Sequence, residues 1–315
     1  MEHNPVSLIG IKSAFGEREI QNSEIEAKYG LPAGWVIEKT GKEKGHAWDN
    51  GPEAPIEASL RCFDSLLATH GLEKGDIKAV FGTTNPIVID GVEREKSLTE
   101  EFAMRAELAD REIRDVSFGC GGPAVGIEEM SKWFAHQESG THAVYVTQDW
   151  STEMVRDRNV EALFSDAVSV SLWTNGDSGI YEVGDVFAMK STIADESLGI
   201  VGGFWEMDGR QVSEAASKVP ALVAEKLGIN FYDYDIVPHQ PNAKLLETIE
   251  RLYNIQLHKD VAREHGNPTC SGSFIALEKV IKDREKTNAN DDKDILVMPF
   301  GAGGVGGFIL KKKVV

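Results

Sequence analysis

Residues Asp115 to Phe134 read DVSFGCGGPAVGIEEMSKWF, and the reading of the whole chain starts there. Val116 and Phe118 suggest a short strand, Gly119-Cys120-Gly121-Gly122 a sharp turn, and the rest a helix with Pro123 near its first turn. Val125, Ile127, Met130, Trp133 and Phe134 recur at helical spacing. Glycines in a tight turn and proline at a helix start are what the backbone favours. Cys120 then sits at a helix N-terminus, where unpaired N–H groups and the helix dipole favour a thiolate. A thiolate held on a glycine elbow is a nucleophile suited to acyl transfer. The competing reading is a buried structural cysteine beside a glycine turn.

Working outward, the chain has 315 residues, 41% hydrophobic and 27% charged. That length suits two domains or one large composite core. The start, MEHNPVSLIGIKSAFG, has neither the basic nor the apolar region of a signal peptide, and no apolar run approaches a membrane span. Cys62, Cys120 and Cys270 are too few and scattered for a disulfide framework or metal motif. A cytoplasmic, reduced setting is expected. A net charge of -18 argues against general nucleic-acid binding and against docking on anionic membranes.

A weak internal repeat organises the rest. PIEASLRCFDSLLATHGLEKGDIKAVFGTTNP runs helix, Gly71 turn, strand and polar loop. QVSEAASKVPALVAEKLGINFYDYDIVPHQPN runs the same way through Gly228. DVSFGCGGPAVGIEEM then matches HGNPTCSGSFIALEKV, THAVYVTQD matches DILVMPFGA, and ALFSDAVSVSLW matches VGGFILKKK. Strands alternating with helices indicate α/β layers. The repeat divides the chain into residues 1–174, carrying the cysteine, and 175–315. Between the first strand and first long helix, YGLPAGWVIEKTGKEKGHAWDNGPEAP is irregular, with Trp35 and Trp48 expected at the surface. A loop of that length suits a binding edge.

A cysteine nucleophile needs electrophilic partners. Of eight histidines, His239 alone directly follows an apolar strand and precedes a helix, in PHQPN. Strand C-terminal ends are where α/β folds build sites. Asn267, in EHGNPTCSG, falls at the second half's elbow and is expected to mirror Cys120. Singly, a capping Asn267 and a structural His239 are the simpler readings; jointly the three residues point to one site.

These pieces resemble β-ketoacyl-acyl carrier protein synthase III, a condensing enzyme of thiolase fold, nearly end to end. FGCGGPAVGI, PHQPNAKLL, HGNPTCSGSFIAL and FGAGGVGG carry the likeness, with ALFSDAVSVSL and MDGRQV. The resemblance implies a five-layered αβαβα fold of two pseudo-symmetric halves, usually a homodimer, with no bound cofactor and CoA thioester substrates. Cys120 would take an acyl group from acyl-CoA, and His239 and Asn267 would hold the carbonyl of a malonyl thioester. Backbone N–H groups of Cys120 and Ala302, within Gly301-Ala302-Gly303, would form the oxyanion hole, and Asn242 would brace the His239 loop. Trp35 matches an adenine-stacking position, Lys39, Thr40 and Arg158 phosphate or pantetheine positions, and Lys244 a contact with an acyl carrier protein.

The chain departs from the family in TGKEKGHAW, which is poor in arginine. Lys39 stands where arginine is common and offers a point charge instead of a guanidinium fork. Where the family puts a bulky gate to the partner's acyl pocket, this chain has Glu93 to Lys96. Glu95, or Glu93, is a candidate extra base reaching the neighbouring active site, against the simpler reading of a solvated charge run. Decarboxylative condensation is thus the leading function. The alternatives are acyl transfer to a hydroxyl or amine, a non-decarboxylative condensation through the same acyl-cysteine, and a non-catalytic thiolase-fold binding protein.

Overall fold

The structure is a computed structural model and describes residues 5–84, 88–89, 92–93, 95–116, 119–190, 198–201, 204–287, 293–301 and 304–313. Its main strands are β1 (Ser7–Phe15), β2 (Ile77–Thr84), β3 (Glu112–Asp115), β4 (His142–Gln148), β5 (Ala167–Thr174), β6 (Tyr181–Lys190), β7 (Tyr234–Pro238), β8 (Asp294–Met298) and β9 (Gly304–Lys312). The helices that matter are α1 (Trp35–Thr40), α2 (Ala54–His70), α3 (Leu98–Arg105), α4 (Gly122–Phe134), α5 (Gly209–Leu227), α6 (Ala243–Tyr253) and α7 (Gly272–Thr287).

The strands join in one mixed sheet, ordered β7-β8-β9-β6-β1-β5-β4-β2-β3. Outward from the β1–β6 seam, the same pattern runs in both directions. On one side β1-β5 and β5-β4 are antiparallel and β4-β2 and β2-β3 parallel. On the other, β6-β9 and β9-β8 are antiparallel, β8-β7 is parallel, and Ile236 bridges Leu257 in parallel where a fifth strand would lie. At the seam Ser7 faces Glu182 and Leu8 faces Tyr181.

Helices cover both runs. α2 packs on β1, β4 and β5, and α5 packs on β6 and β9. α4 and α7 lie between the runs, with α4 against β2, β6 and β9 and α7 against β1 and β7. Three cores fill the layers: Phe63 and Phe102 under the first outer helices, Ile127, Tyr145 and Phe274 in the middle, and Val223 and Leu246 under the second. This is the five-layered αβαβα arrangement. β5, AVSVSLWT, is buried along its whole length because both of its faces are covered, and Ser169 and Ser171 are buried with it. Gly71 and Gly228 end α2 and α5 at φ 65° and 64°, the left-handed conformation that glycine adopts without steric cost.

Three expectations need correction. The strand before the elbow is β3, so Val116 lies beyond it, and Phe118 is outside the described residues. Trp48 is buried, and its indole N–H donates to the Asp149 carbonyl at 2.8 Å. The third concerns the repeat: Cys120 lies in the 3-10 turn Gly119–Gly121 before α4, and Cys270 in the turn Thr269–Ser271 before α7. Cys270 is therefore the counterpart of Cys120, while Asn267 precedes its turn by two residues. Among the described residues, no helix is long and apolar enough to cross a membrane.

Candidate active site

Cys120, His239 and Asn267 line one recess, whose empty volume including its mouth is about 810 Å³. Each arrives on a different element. Cys120 is presented by the 3-10 turn that runs into α4, with Pro123 in the helix's first turn. Gly301 presses on it: at φ 144°, a Cβ there would lie 2.6 Å from Cys120 Cβ. Gly121 is pressed likewise, since its Cβ would meet the Gly304 carbonyl oxygen at 2.2 Å. Only glycine at these points lets the two backbones meet around the sulfur. Ala302 and Gly303, which separate Gly301 from Gly304 in sequence, are outside the described residues.

His239 leaves the end of β7, anchored by its N–H to the Met298 carbonyl at 2.9 Å and edge-on to Phe300. Burial alone drives its imidazole down to about pKa 3, so the ring is neutral at any working pH. Asn267 is held by its backbone: its N–H donates to Leu163 O at 2.8 Å, and its carbonyl accepts from Ser165 N at 3.0 Å. Nδ1 of His239 and Oδ1 of Asn267 are buried and lack a hydrogen-bond partner among the described residues. Leaving a buried polar atom unpaired costs about 1–3 kcal/mol. Such atoms in a recess mark functional groups more often than packing faults.

Asn242 lines the same recess and caps α6, its Oδ1 accepting from Leu245 N at 2.7 Å. A further brace across the His239 loop is Gln240, the middle residue of PHQPN. Its amide donates to Pro238 O at 2.9 Å and His258 O at 2.8 Å and accepts from Ala262 N at 3.1 Å.

The turn after Asn267 has another support that sequence reasoning missed. Thr269, at φ 28°, donates its hydroxyl to Asp149, and Ser271 reaches the other oxygen by Oγ at 2.8 Å and by N–H at 3.0 Å. Burial pushes the Asp149 carboxyl up to about 7 even so. An acid at the end of an apolar strand, VTQD, was the available signal. Phe164 and Leu163, which wall the recess beside Asn267, carried none.

Outside the lining of the recess, the Arg158 guanidinium stands 5.9 Å from the Trp35 ring centroid, so two of the expected CoA contacts are neighbours. Gly41 packs on Ala243, which brings the end of α1 against the start of α6 and Lys244. Lys39 and Lys244 are exposed, beside Glu38 at 3.3 Å and Glu247 at 3.4 Å. Thr40 is buried, its hydroxyl donating to Val36 O at 2.8 Å and accepting from Lys42 N at 3.0 Å. Glu95 is exposed and does not line the recess, and the Glu93 side chain is outside the described residues.

No protein-family model matches the chain. A β-ketoacyl-(acyl-carrier-protein) synthase III of Neorickettsia sennetsu is 32% identical over 303 residues, covering 91% of this chain and 92% of the relative. This chain belongs to the β-ketoacyl-acyl carrier protein synthase III family. As a synthase III it is an acyl-transferring condensing enzyme of fatty-acid biosynthesis. A second synthase III, from Syntrophomonas wolfei, is 24% identical and covers 97% of each chain. The fold is that of 3-oxoacyl-(acyl carrier protein) synthase III from Pseudomonas aeruginosa PAO1, with TM-score 0.82, 20% identity and 99% of both chains covered. The priming β-ketosynthase of the R1128 polyketide pathway shares it, with TM-score 0.81, 18% identity and 99% and 98% coverage.

Proposed function

We propose that this synthase III loads an acyl group from acyl-CoA onto Cys120 and condenses it with a malonyl thioester, releasing CO2. The observation that carries the reading is the single recess shared by Cys120, His239 and Asn267, two of them holding buried unpaired polar atoms. The Cys120 thiolate attacks the thioester carbonyl, the tetrahedral oxyanion collapses, and CoA leaves as its thiol after taking a proton. The malonyl carboxylate then loses CO2, and its bonding pair moves onto the α-carbon and the thioester oxygen. Neutral His239 and the Asn267 amide donate hydrogen bonds to that oxygen, favouring the enolate over the ground-state carbonyl. The carbanion attacks the acyl-Cys120 carbonyl, and the sulfur departs as thiolate, ready for the next cycle.

The N–H of Cys120 and of Ala302 are the donors assigned to the acyl oxyanion, with Gly301 and Gly303 in their loop and Asn242 bracing the loop that carries His239. Trp35 is assigned to the CoA adenine, Lys39, Thr40 and Arg158 to its phosphate and pantetheine end, and Lys244 to an acyl carrier protein. The working form is a homodimer in the cytoplasm, and Glu95 or Glu93 of one protomer is the candidate base at its partner's site.

Intact-mass analysis after exposure to a panel of acyl-CoAs, with CO2 release from malonyl thioesters, tests the assignment. Cys120→Ala should abolish acylation. Asn267→Ala should still acylate yet release CO2 about 100-fold more slowly. Acylation at a cysteine other than Cys120, or condensation untouched in Asn267→Ala, would refute it.

A further inference from the structure

Behind the Asn267 loop lies a lysine that the chemistry above leaves unused. Lys42 follows α1 and Gly41 and is 1% exposed. Its N–H donates to Thr40 Oγ1 at 3.0 Å, its carbonyl accepts from Asn22 Nδ2 at 2.7 Å, and the next N–H, of Glu43, reaches Arg263 O at 2.7 Å. The stem lies over Gly266, the residue before Asn267: a Cβ on Gly266 would come within 2.5 Å of Lys42 Cδ and 2.7 Å of Leu163 O. The ammonium points at the Glu161 carbonyl at 3.5 Å, and a Cβ on Gly45 would touch both Lys42 Nζ and Phe164 O. Lys42 is thus wedged between segments 161–165 and 266–267, which the two backbone hydrogen bonds of Asn267 stitch together. Both segments face the recess, through Leu163, Phe164 and Asn267.

As packing alone, this is a poor choice of residue. Three N–H donors meet one distant acceptor among the described residues. The Glu161 carboxylate is engaged elsewhere, by Lys28 Nζ at 2.7 Å and Tyr29 Oη at 2.6 Å. Leucine or methionine would fill the space without desolvating a charge. The titratable groups facing the ammonium are Glu161 and, on the strand Lys44–Ala47, His46, whose Nε2 lies 3.1 Å from His265 Nδ1. Burial holds both imidazoles below their ordinary range and draws Lys42 down to about 7, with Glu161 opposing that fall. The charge is therefore partly present at neutral pH.

We propose that Lys42 is a positioning residue for the extender half of the reaction: its stem sets the Gly266–Asn267 peptide, and its ammonium places positive charge behind the carboxamide that holds the enolate. The inference rests on the assignment of Asn267 above. Lys42→Met keeps the length of the side chain and removes the charge. Acyl-Cys120 formation by intact mass should stay within about twofold of wild type, and CO2 release should fall about tenfold, in kcat and not KM. In wild type, CO2 release should decline as pH rises through about 7 and the amine loses its proton; in Lys42→Met that decline should vanish. A variant with wild-type CO2 release and an unchanged pH profile overturns the inference while leaving the assignment of Asn267 intact. A wild type that never acylates Cys120 removes that assignment, and this inference with it. Should Lys42→Met fail to fold, the wild-type profile decides. A decline above pH 7 in CO2 release but not in acylation supports the role, and equal profiles for the two steps overturn it.

Discussion

At the scale of single residues, the site works by contrast of environments. His239 is held neutral by burial with no compensating charge beside it, so it is a hydrogen-bond donor and not a cation. Its folded pKa lies below the unfolded value of 6.5. The stability it confers is therefore complete above pH 6.5 and is lost as pH falls from there toward 3. For catalysis the same depression means no histidine titration near 6.5: CO2 release per acylated Lys42→Met enzyme, followed in a stopped-flow pH series, should be level between pH 5 and 6.5. A limb near 6.5 in that variant would assign the histidine a charged role instead.

What could be read beforehand follows from this. Cys120 and His239 each carry a local signature, a glycine turn and a strand end. Asp149 and Lys42 have partners far off in sequence: Asp149 meets Ser271, 122 positions away, and the Lys42 ammonium meets Glu161, 119 positions away. A buried lysine inside KTGKEKG is indistinguishable in sequence from its solvated neighbours Lys39 and Lys44.

At the scale of elements, the elbow is shaped by backbone that cannot carry side chains. Gly301→Ala would force a methyl into the Cys120 side chain at a φ that alanine resists. A loss of about 1–3 kcal/mol in urea denaturation is expected, together with impaired acylation. Asn242→Ala removes the α6 cap and should cost about 1 kcal/mol by the same measurement. The repeat shows the limit of sequence pattern at this scale. The helices and turns of the two halves were legible because each half closes its long helix with a left-handed glycine. The exact partner of Cys120 was not, because GCGG and TCSG share a geometry without sharing a function. Cys270 keeps that geometry but donates into Thr83 O and Asp149, and burial beside the carboxyl keeps its thiol well above the ordinary range.

At the scale of the whole molecule, α/β layers were legible from the alternation of strands and helices, their number, five, came only with the family resemblance, and buried charge was not legible at all. Lys42 has a folded pKa depressed from 10.5 to about 7, so the unfolded chain binds more protons between those values and wild-type stability rises with pH across that window. Thermal melts should find Lys42→Met more stable than wild type, by most at and below pH 7 and by progressively less toward pH 10. Equal melting temperatures across that range would mean that the amine is not desolvated.

The β1–β6 seam carries a further consequence. Cys120 belongs to the half on one side of it, and His239 and Asn267 to the half on the other, yet the pairing that joins them is short. Neither half could have had this chemistry alone. A half expressed by itself would carry either the sulfur or the imidazole and carboxamide, never all three, and mixing the two halves would have to rebuild the recess across that short pairing.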